Sequence, residues 1–416
     1  MSDPTPAPAA APSSRALPAR PAKPPASPLG RVVGFLASYG LATVVLVLLT
    51  FLVLIGTLAQ RHMSIYDVQR QYFESLVVVM DVGGVPVPLP GAALLIGVLC
   101  VNLLLGGVIR LRRGTATAGV LVAHLGILLL FGGGLVEYLF SDKGQMTLRE
   151  GAASDEFSSF TDWEVAVRER RTDGSAREFV VPHRVVRRIE DGGALRVTAK
   201  ELPFELRLSD WVRNGVPKPA DRPDRGAEGW TVQVKEVAKE AERNEPCVYA
   251  SVLRRDGASG AQALLWGGES FPFATKVDGR IFELELRRTR WPVPFRLRLD
   301  RFEKEDHPGT GMARRFSSFV TMSEGGADRK VHITMNEPLR NKGFTFYQSG
   351  WGPEGAPPGT PLYSTFSVVR NPSDRVPLIA CLVIFLGMLL HFGRKLYRHI
   401  VATSAARVAA QEATSR

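Results

Sequence analysis

The stretch Val32–Gln60 reads VVGFLASYGLATVVLVLLTFLVLIGTLAQ and holds no Asp, Glu, Lys or Arg. Crossing the hydrocarbon core of a bilayer as a helix takes roughly 20 apolar residues. Three more runs, Val82–Ile109, Gly114–Val136 and Val376–Gly393, are equally free of those charges. A helix confined to a soluble core has little reason to be so long and so uncharged. The pattern predicts an integral membrane protein with most of its mass outside the lipid.

Charge sets the expected topology. The chain of 416 residues carries a net charge of +11, which by itself is compatible with nucleic-acid binding. The excess, however, sits beside the apolar runs, where the positive-inside rule places it. Arg15, Arg20, Lys23 and Arg31 precede the first run, Arg110, Arg112 and Arg113 follow the second, and Arg394, Lys395, Arg398 and Arg407 follow the fourth. The connection between runs one and two is mildly acidic, with Asp67, Glu74 and Asp81 against Arg61 and Arg70. Both termini are therefore expected in the cytoplasm.

The expected fold class is four transmembrane α-helices with a large β-rich extracytoplasmic domain between helices three and four. The boundaries are a disordered cytoplasmic tail over 1–31, three spans within 32–140 (about 34–60, 88–109 and 117–140), the β-rich domain over 141–374, a fourth span over 375–396 and a cytoplasmic tail over 397–416. The Pro-, Ala- and Ser-rich start cannot bury a core. It is no cleavable signal, because the apolar run behind it is too long. Pro88 and Pro90 suit the entry to the second helix.

Alternation with period two marks strands at Glu164–Val167, Phe204–Leu208, Thr231–Val237, Phe282–Leu286, Phe295–Leu299 and Phe344–Tyr347. All six tryptophans fall in this region and read mostly as core and edge anchors. Pro203-Phe-Glu-Leu-Arg-Leu-Ser-Asp-Trp211 echoes Pro294-Phe-Arg-Leu-Arg-Leu-Asp-Arg-Phe302. The echo is either a duplication, giving two β units side by side as a sandwich or an open barrel, or a chance likeness of two amphipathic strands.

Candidate chemistry is sparse. Cys100, Cys247 and Cys381 are the only cysteines. No CxxC and no CxxCH occurs, so the chain is neither a thioredoxin-like redox protein nor itself a c-type cytochrome. No HExxH, Walker A loop or GxSxG is present. Titratable groups inside lipid are costly and are functional candidates by default. His124 lies in the third run, about six residues or 9 Å from its cytoplasmic end at 1.5 Å per residue. A neutral imidazole is an iron ligand of the kind haem takes axially, and it is equally a helix–helix hydrogen-bonding group. Gly119, Gly126 and Gly133 recur every seven residues and form a stripe suited to close helix packing. His124 points about 160° away from that stripe on a helical wheel, so it is expected to face a partner protein or a cofactor. His391 in the fourth run has Gly387 one turn earlier, which leaves room for a flat ligand. His62, at the end of the first run, is placed to reach headgroup level or a cofactor outside, whereas His183, His307 and His332 read as ordinary surface or hydrogen-bonding residues.

The most distinctive segment runs from Ile333 to Trp351. A strand enters, Asn341-Lys-Gly343 turns, and the aromatic strand Phe344–Gln348 leaves. It is either a docking surface or a tight structural hairpin.

These features together resemble the ResB (CcsB) family of cytochrome c biogenesis proteins. The likeness rests on the four-run layout, on Ile55-Gly-Thr-Leu-Ala-Gln60, on His124-Leu-Gly126, on Pro294–Phe302, and on Asn336-Glu-Pro-Leu339 followed by Gly343-Phe-Thr-Phe-Tyr-Gln-Ser349. The resemblance implies a multi-pass protein of the bacterial inner membrane with its large domain in the periplasm. It implies a place in the type II maturation system, beside a ResC (CcsA) type membrane partner that carries a tryptophan-rich motif. This chain has no such motif, so it is expected to be the accessory, non-catalytic half of the haem-attachment complex. The implied partners are that protein, apocytochrome c, haem b held transiently without a covalent bond, and the lipid bilayer; nucleic acid is excluded. His124 matches a family histidine implicated in haem binding and is the expected metal ligand, while His391 has no such match. The rival readings are a structural scaffold that touches no haem, and an independent membrane enzyme acting on lipid or peptidoglycan.

Overall fold

The computed structural model describes residues 27–111, 114–171, 175–190, 192–220, 227–255, 259–355, 357 and 359–414. The tail expected to be disordered lies outside these residues up to position 26, as do Arg112 and Arg113 of the basic connection.

Four helices are long and apolar enough to cross a membrane: Tyr39–Ala59, Ala92–Ile109, Ala118–Phe140 and Val376–Gln411. They pack as a row, the first on the second, the second on the third through its end, and the third on the fourth. The apolar side chains on their outer faces are largely exposed, as a lipid-facing surface requires.

The first run is not one helix. Pro28–Leu36 forms a short helix capped by Ser27, whose hydroxyl accepts from the Gly30 amide at 3.1 Å. The chain then breaks at Ala37 and Ser38 before Tyr39–Ala59 begins. Such a break leaves backbone carbonyls without helical partners. Asn102, buried in the second span, donates to one of them, Leu36 O at 2.6 Å, and also to Ser38 O, the cap carbonyl of the next helix, at 2.9 Å. A polar side chain within a span is thereby satisfied.

The prolines near residue 88 open no helix. They belong to a hairpin, Val77–Val82 with Val85–Pro90, and the helix starts afterwards at Ala92. Pro86, Pro88 and Pro90 occupy alternate positions of an edge strand, so the missing N–H of each falls on the side without a neighbour. Val78 of this hairpin is buried with Tyr72, Val68, Leu52 and Leu95, closing that end of the first two spans. The fourth helix does not stop near residue 396 but runs on to Thr414.

Strands follow from Asp142 to Arg370. Ten of them form one sheet, ordered Ala327–Thr334, Ala313–Glu324, Arg280–Asp306, Ala153–Arg170, Asp142–Arg149, Tyr363–Arg370, Phe344–Gly352 and Leu339–Asn341, with Phe273–Val277 and Ala176–Val181 added beside the two longest. The sheet curls until Ala327–Thr334 approaches Leu339–Asn341 and Phe344–Gly352. A second sheet of four strands, Ser259–Trp266, Cys247–Arg254, Phe204–Val212 and Ala194–Val197, covers one half of it. Two cores result. One gathers Val165, Phe204, Leu206, Leu208, Phe282 and Leu284 between the sheets. The other gathers Phe157, Phe295, Leu297, Phe344, Phe346 and Phe366 inside the curled half. The 27-residue strand Arg280–Asp306 supplies both, Phe282–Leu286 to the first and Val293–Phe302 to the second.

The echoing segments Pro203–Trp211 and Pro294–Phe302 thus sit in separate sheets and feed separate cores. The run Thr231–Val237 is a strand only over Trp230–Val234, and Val234 and Val237 are exposed. Of the tryptophans, Trp163 is buried, Trp230 is exposed, and Trp211, Trp291 and Trp351 pack at the edges of the two cores.

Candidate functional site

His124 is half-buried between the second and third spans. Its Nδ1 lies 3.1 Å from the carbonyl oxygen of Gly107. A carbonyl only accepts, so the bond requires the proton on Nδ1, and Nε2 is left as the basic nitrogen. Gly107 belongs to a π-helical stretch, Leu103–Ile109, that ends the second span. Its carbonyl is among the last of that helix, where helical donors run out. A Cβ at position 107 would stand 2.5 Å from His124 Nδ1, so glycine is what lets the ring close on the backbone.

His124 was expected to look out of the bundle. It looks instead at the second span, because the third span is sandwiched: its glycine face meets the fourth helix and its histidine face meets the second. Gly119, Gly126 and Gly133 are all buried. A Cβ on Gly119 would lie 2.6 Å from Gly387 O, one on Gly126 2.7 Å from Ile384, and one on Gly133 2.5 Å from Val376. Ser373 donates to Gly133 O at 2.9 Å at the far end of the same seam.

His391 lies on that seam, its backbone against Gly119. The space beside Gly387 that the sequence left for a flat ligand is filled by the backbone of Ala123. Among the described residues the buried Nδ1 of His391 has no hydrogen-bond partner, and its ring meets Phe392 edge-on at 5.1 Å. His124 and His391 occupy opposite faces of the third span, so the fold does not bring them to one metal. Among the described residues no group of three or more His, Cys, Asp or Glu is placed to hold a metal ion.

The junction between the helices and the β domain is polar, and no local pattern in the chain marks it. Asp67, in the short helix Ile65–Val68 after the first span, receives both bonds of Arg213 Nη2, at 2.7 and 2.8 Å. Burial pushes the Asp67 carboxyl up, but hydrogen bonds from Arg213 and Ser64 outweigh it and hold the group below its ordinary value. Tyr66 donates to Glu242 at 3.3 Å, and Arg70 lies 3.8 Å from Glu190. Burial, then the Glu242 charge, lifts the Tyr66 phenol to about 12. Above this contact Arg288 lies 4.1 Å over the Trp163 ring and donates to the carbonyls of Phe160 and Glu242. Burial lowers its pKa to about 10, so it stays charged at neutral pH. Cys247 is buried, and its thiol is pushed up to about 12 by burial and by Glu245, which leaves it an inert core filler.

The segment Asn336–Ser349 is a hairpin with its face in the core. Lys342 (φ 46°) and Gly343 (φ 81°) both take left-handed backbone, as a two-residue turn of this hand demands. Phe344 and Phe346 are buried. Gln348 Oε1 accepts from Ser318 Oγ at 2.6 Å and Ser364 Oγ at 3.0 Å, an internal network. The turn stands beside the start of the fourth helix, with Arg340 3.7 Å from Asp374. His183 receives the Trp163 amide at 3.3 Å, His332 stacks on Phe319 at 4.5 Å, and the His307 amide closes a turn with Met312 O at 2.9 Å, all ordinary roles.

Four apolar helices joined to a two-core β domain make this a membrane protein. The ResB-like family model matches residues 257–360. The match takes in the strand Arg280–Asp306 and the hairpin Asn336–Ser349, in agreement with the ResB resemblance and so with involvement in cytochrome c biogenesis. No curated protein matches the chain.

Proposed function

We propose that this chain is the accessory subunit of a type II cytochrome c maturation complex. It helps pass haem b across the bacterial inner membrane and supports its attachment to apocytochrome c. The observation that carries the reading is the His124–Gly107 contact: a histidine within a span, fixed with Nε2 as its free basic nitrogen. The donor chemistry fits haem. Haem bound there would supply an iron that accepts an imidazole nitrogen. His124 provides that nitrogen, and the Gly107 carbonyl fixes its tautomer and ring plane, the usual task of a partner behind a ligating histidine.

His391 packs on the other side of the third span, so any further protein ligand to that iron would come from a ResC-type partner rather than from this chain. The basic flanks support cytoplasmic termini and a periplasmic β domain between the third and fourth spans. That domain positions the apocytochrome. No reductant or catalytic constellation is required of this subunit.

A scaffold that holds the partner and touches no haem is the second reading. It is favoured by the same contact, since bonding to Gly107 already satisfies one side of the imidazole. The complex co-purified with its partner separates the two. Under the first reading His124→Ala abolishes the Soret band and cytochrome c assembly while the partner still co-purifies, and imidazole restores haem to His124→Gly. Full haem and full assembly in His124→Ala would leave only the scaffold.

A further inference from the structure

A cavity of about 940 Å³ lies where the first span meets the β domain, lined by Arg61, His62, Asp67, Arg70, Arg213, Glu236 and Lys239 among others. It presents four basic side chains against two carboxylates. Asp67 and Arg213 bond each other and cancel as a pair, and Arg70 lies 3.8 Å from Glu190, which leaves Arg61 and Lys239 against Glu236. Among the described residues no carboxylate lies within ion-pair distance of Arg61 or Lys239. The far wall is pinned rather than loose. Asn214 Nδ2 donates to Glu236 O at 2.6 Å, and Asn244 both receives the Ala238 amide at 2.8 Å and donates to Ala238 O at 3.0 Å. The cavity therefore holds its shape around an excess of positive charge.

Its place in the fold says which anion suits it. Arg61 follows the first span by two residues, so the cavity opens at the depth of the lipid phosphates. Leu58 and Ile65, on either side of that point in the chain, are more than half exposed and offer acyl chains an apolar surface. Its polar lining suits a headgroup better than a flat apolar ring. We propose that this cavity is a binding site for the phosphate of an anionic phospholipid, with Arg61 and Lys239 as its free cations and Arg70 beside them.

The test uses the full-length protein in nanodiscs or detergent, with phosphatidylglycerol, phosphatidylcholine and sodium glycerol phosphate as probes. Lipid retained through purification is counted by native mass spectrometry, and the thermal midpoint is followed with each probe. Phosphatidylglycerol is expected to be retained and to raise the midpoint. The double variant Arg61→Gln, Lys239→Gln is expected to bind it about 30-fold more weakly, at about 1 kcal/mol per basic residue near an anionic surface. The variant Lys235→Gln, on an exposed lysine outside the cavity lining, is expected to bind as the parent does. Equal retention by parent and double variant, or none by either, overturns the site. Saturation by glycerol phosphate with no preference for the lipid overturns the lipid as its source. No readout involves haem or cytochrome, so these outcomes are independent of the proposed function.

Discussion

The imidazole of His124 and the carbonyl of Gly107 join the third span to the second at 3.1 Å, with no side chain at residue 107 to hold them apart. The contact does two things at once. It satisfies a helix-end carbonyl inside an apolar layer, and it leaves one histidine nitrogen free to act as a base or ligand.

Gly107→Ala tests that contact without touching the histidine. The new Cβ would meet the ring at 2.5 Å, and the ring must turn or the helices must part. The expected cost is about 1–3 kcal/mol, as for overpacking elsewhere. The thermal midpoint should fall, and haem retained with the partner should fall towards the level of His124→Ala.

Gly126→Val tests the other seam. Ile384 stands 2.7 Å from where a Cβ would go, and the packing continues through Gly119 and Gly387. The third and fourth spans are expected to separate, lowering the midpoint and opening the loop at Ser373 to protease. Gly132→Val, on a helical face with nothing within 4 Å, should leave both unchanged.

Arg287 is a buried charge on the strand Arg280–Asp306, next in the chain to Leu286 of the first β core. Its Nε bonds Glu164 at 2.9 Å, and its two terminal nitrogens bond Glu178 at 2.9 and 2.8 Å. Arg287→Ala leaves the buried Glu164 unpaired, at an expected cost of about 3–5 kcal/mol. Thermal unfolding should show the loss, and Arg287→Ala combined with Glu164→Leu should recover part of it.

Acid should loosen the junction between helices and β domain. Asp67 titrates below its ordinary value of 3.8 in the folded protein. Its contribution is complete above that value and is lost as pH falls through the lower, folded value. Arg213→Gln removes the main lowering partner, so the folded and unfolded values draw together and the acid-dependent loss from Asp67 shrinks. Thermal midpoints measured from pH 6 down to about 2 should start lower in the variant and fall less on acidification than in the parent.

Gln348→Ala should test the hairpin Asn336–Ser349 as a structural element. The change leaves the Ser318 and Ser364 hydroxyls without their shared acceptor. The expected loss of stability is about 1–3 kcal/mol. Tyr347 is exposed beside it, and Tyr347→Ser should leave stability unaltered.

Much of this architecture could be read from residue order. Runs free of charge gave the spans, and alternation gave most strands, since both are local patterns. The glycines at intervals of seven showed a packing face. The partner of that face, the fourth helix, did not show, because it lies some 250 residues away in the chain. The prolines near residue 88 misled, since a proline that starts a helix and one on a strand edge share the same missing donor. Asn102 and the Asp67–Arg213 pair gave no local signal at all. Each acquires its meaning from a partner contributed by a different element.

Composition and periodicity by themselves determined that the chain crosses a membrane and carries a β-rich mass, because hydrophobic free energy acts on each segment in proportion to its own apolar surface. Only the tertiary structure decided that His124 meets Gly107 and that His391, on the fourth helix, packs against the opposite face of the third. Such directional contacts depend on how helices are ordered and rotated in the bundle, and no single segment encodes that.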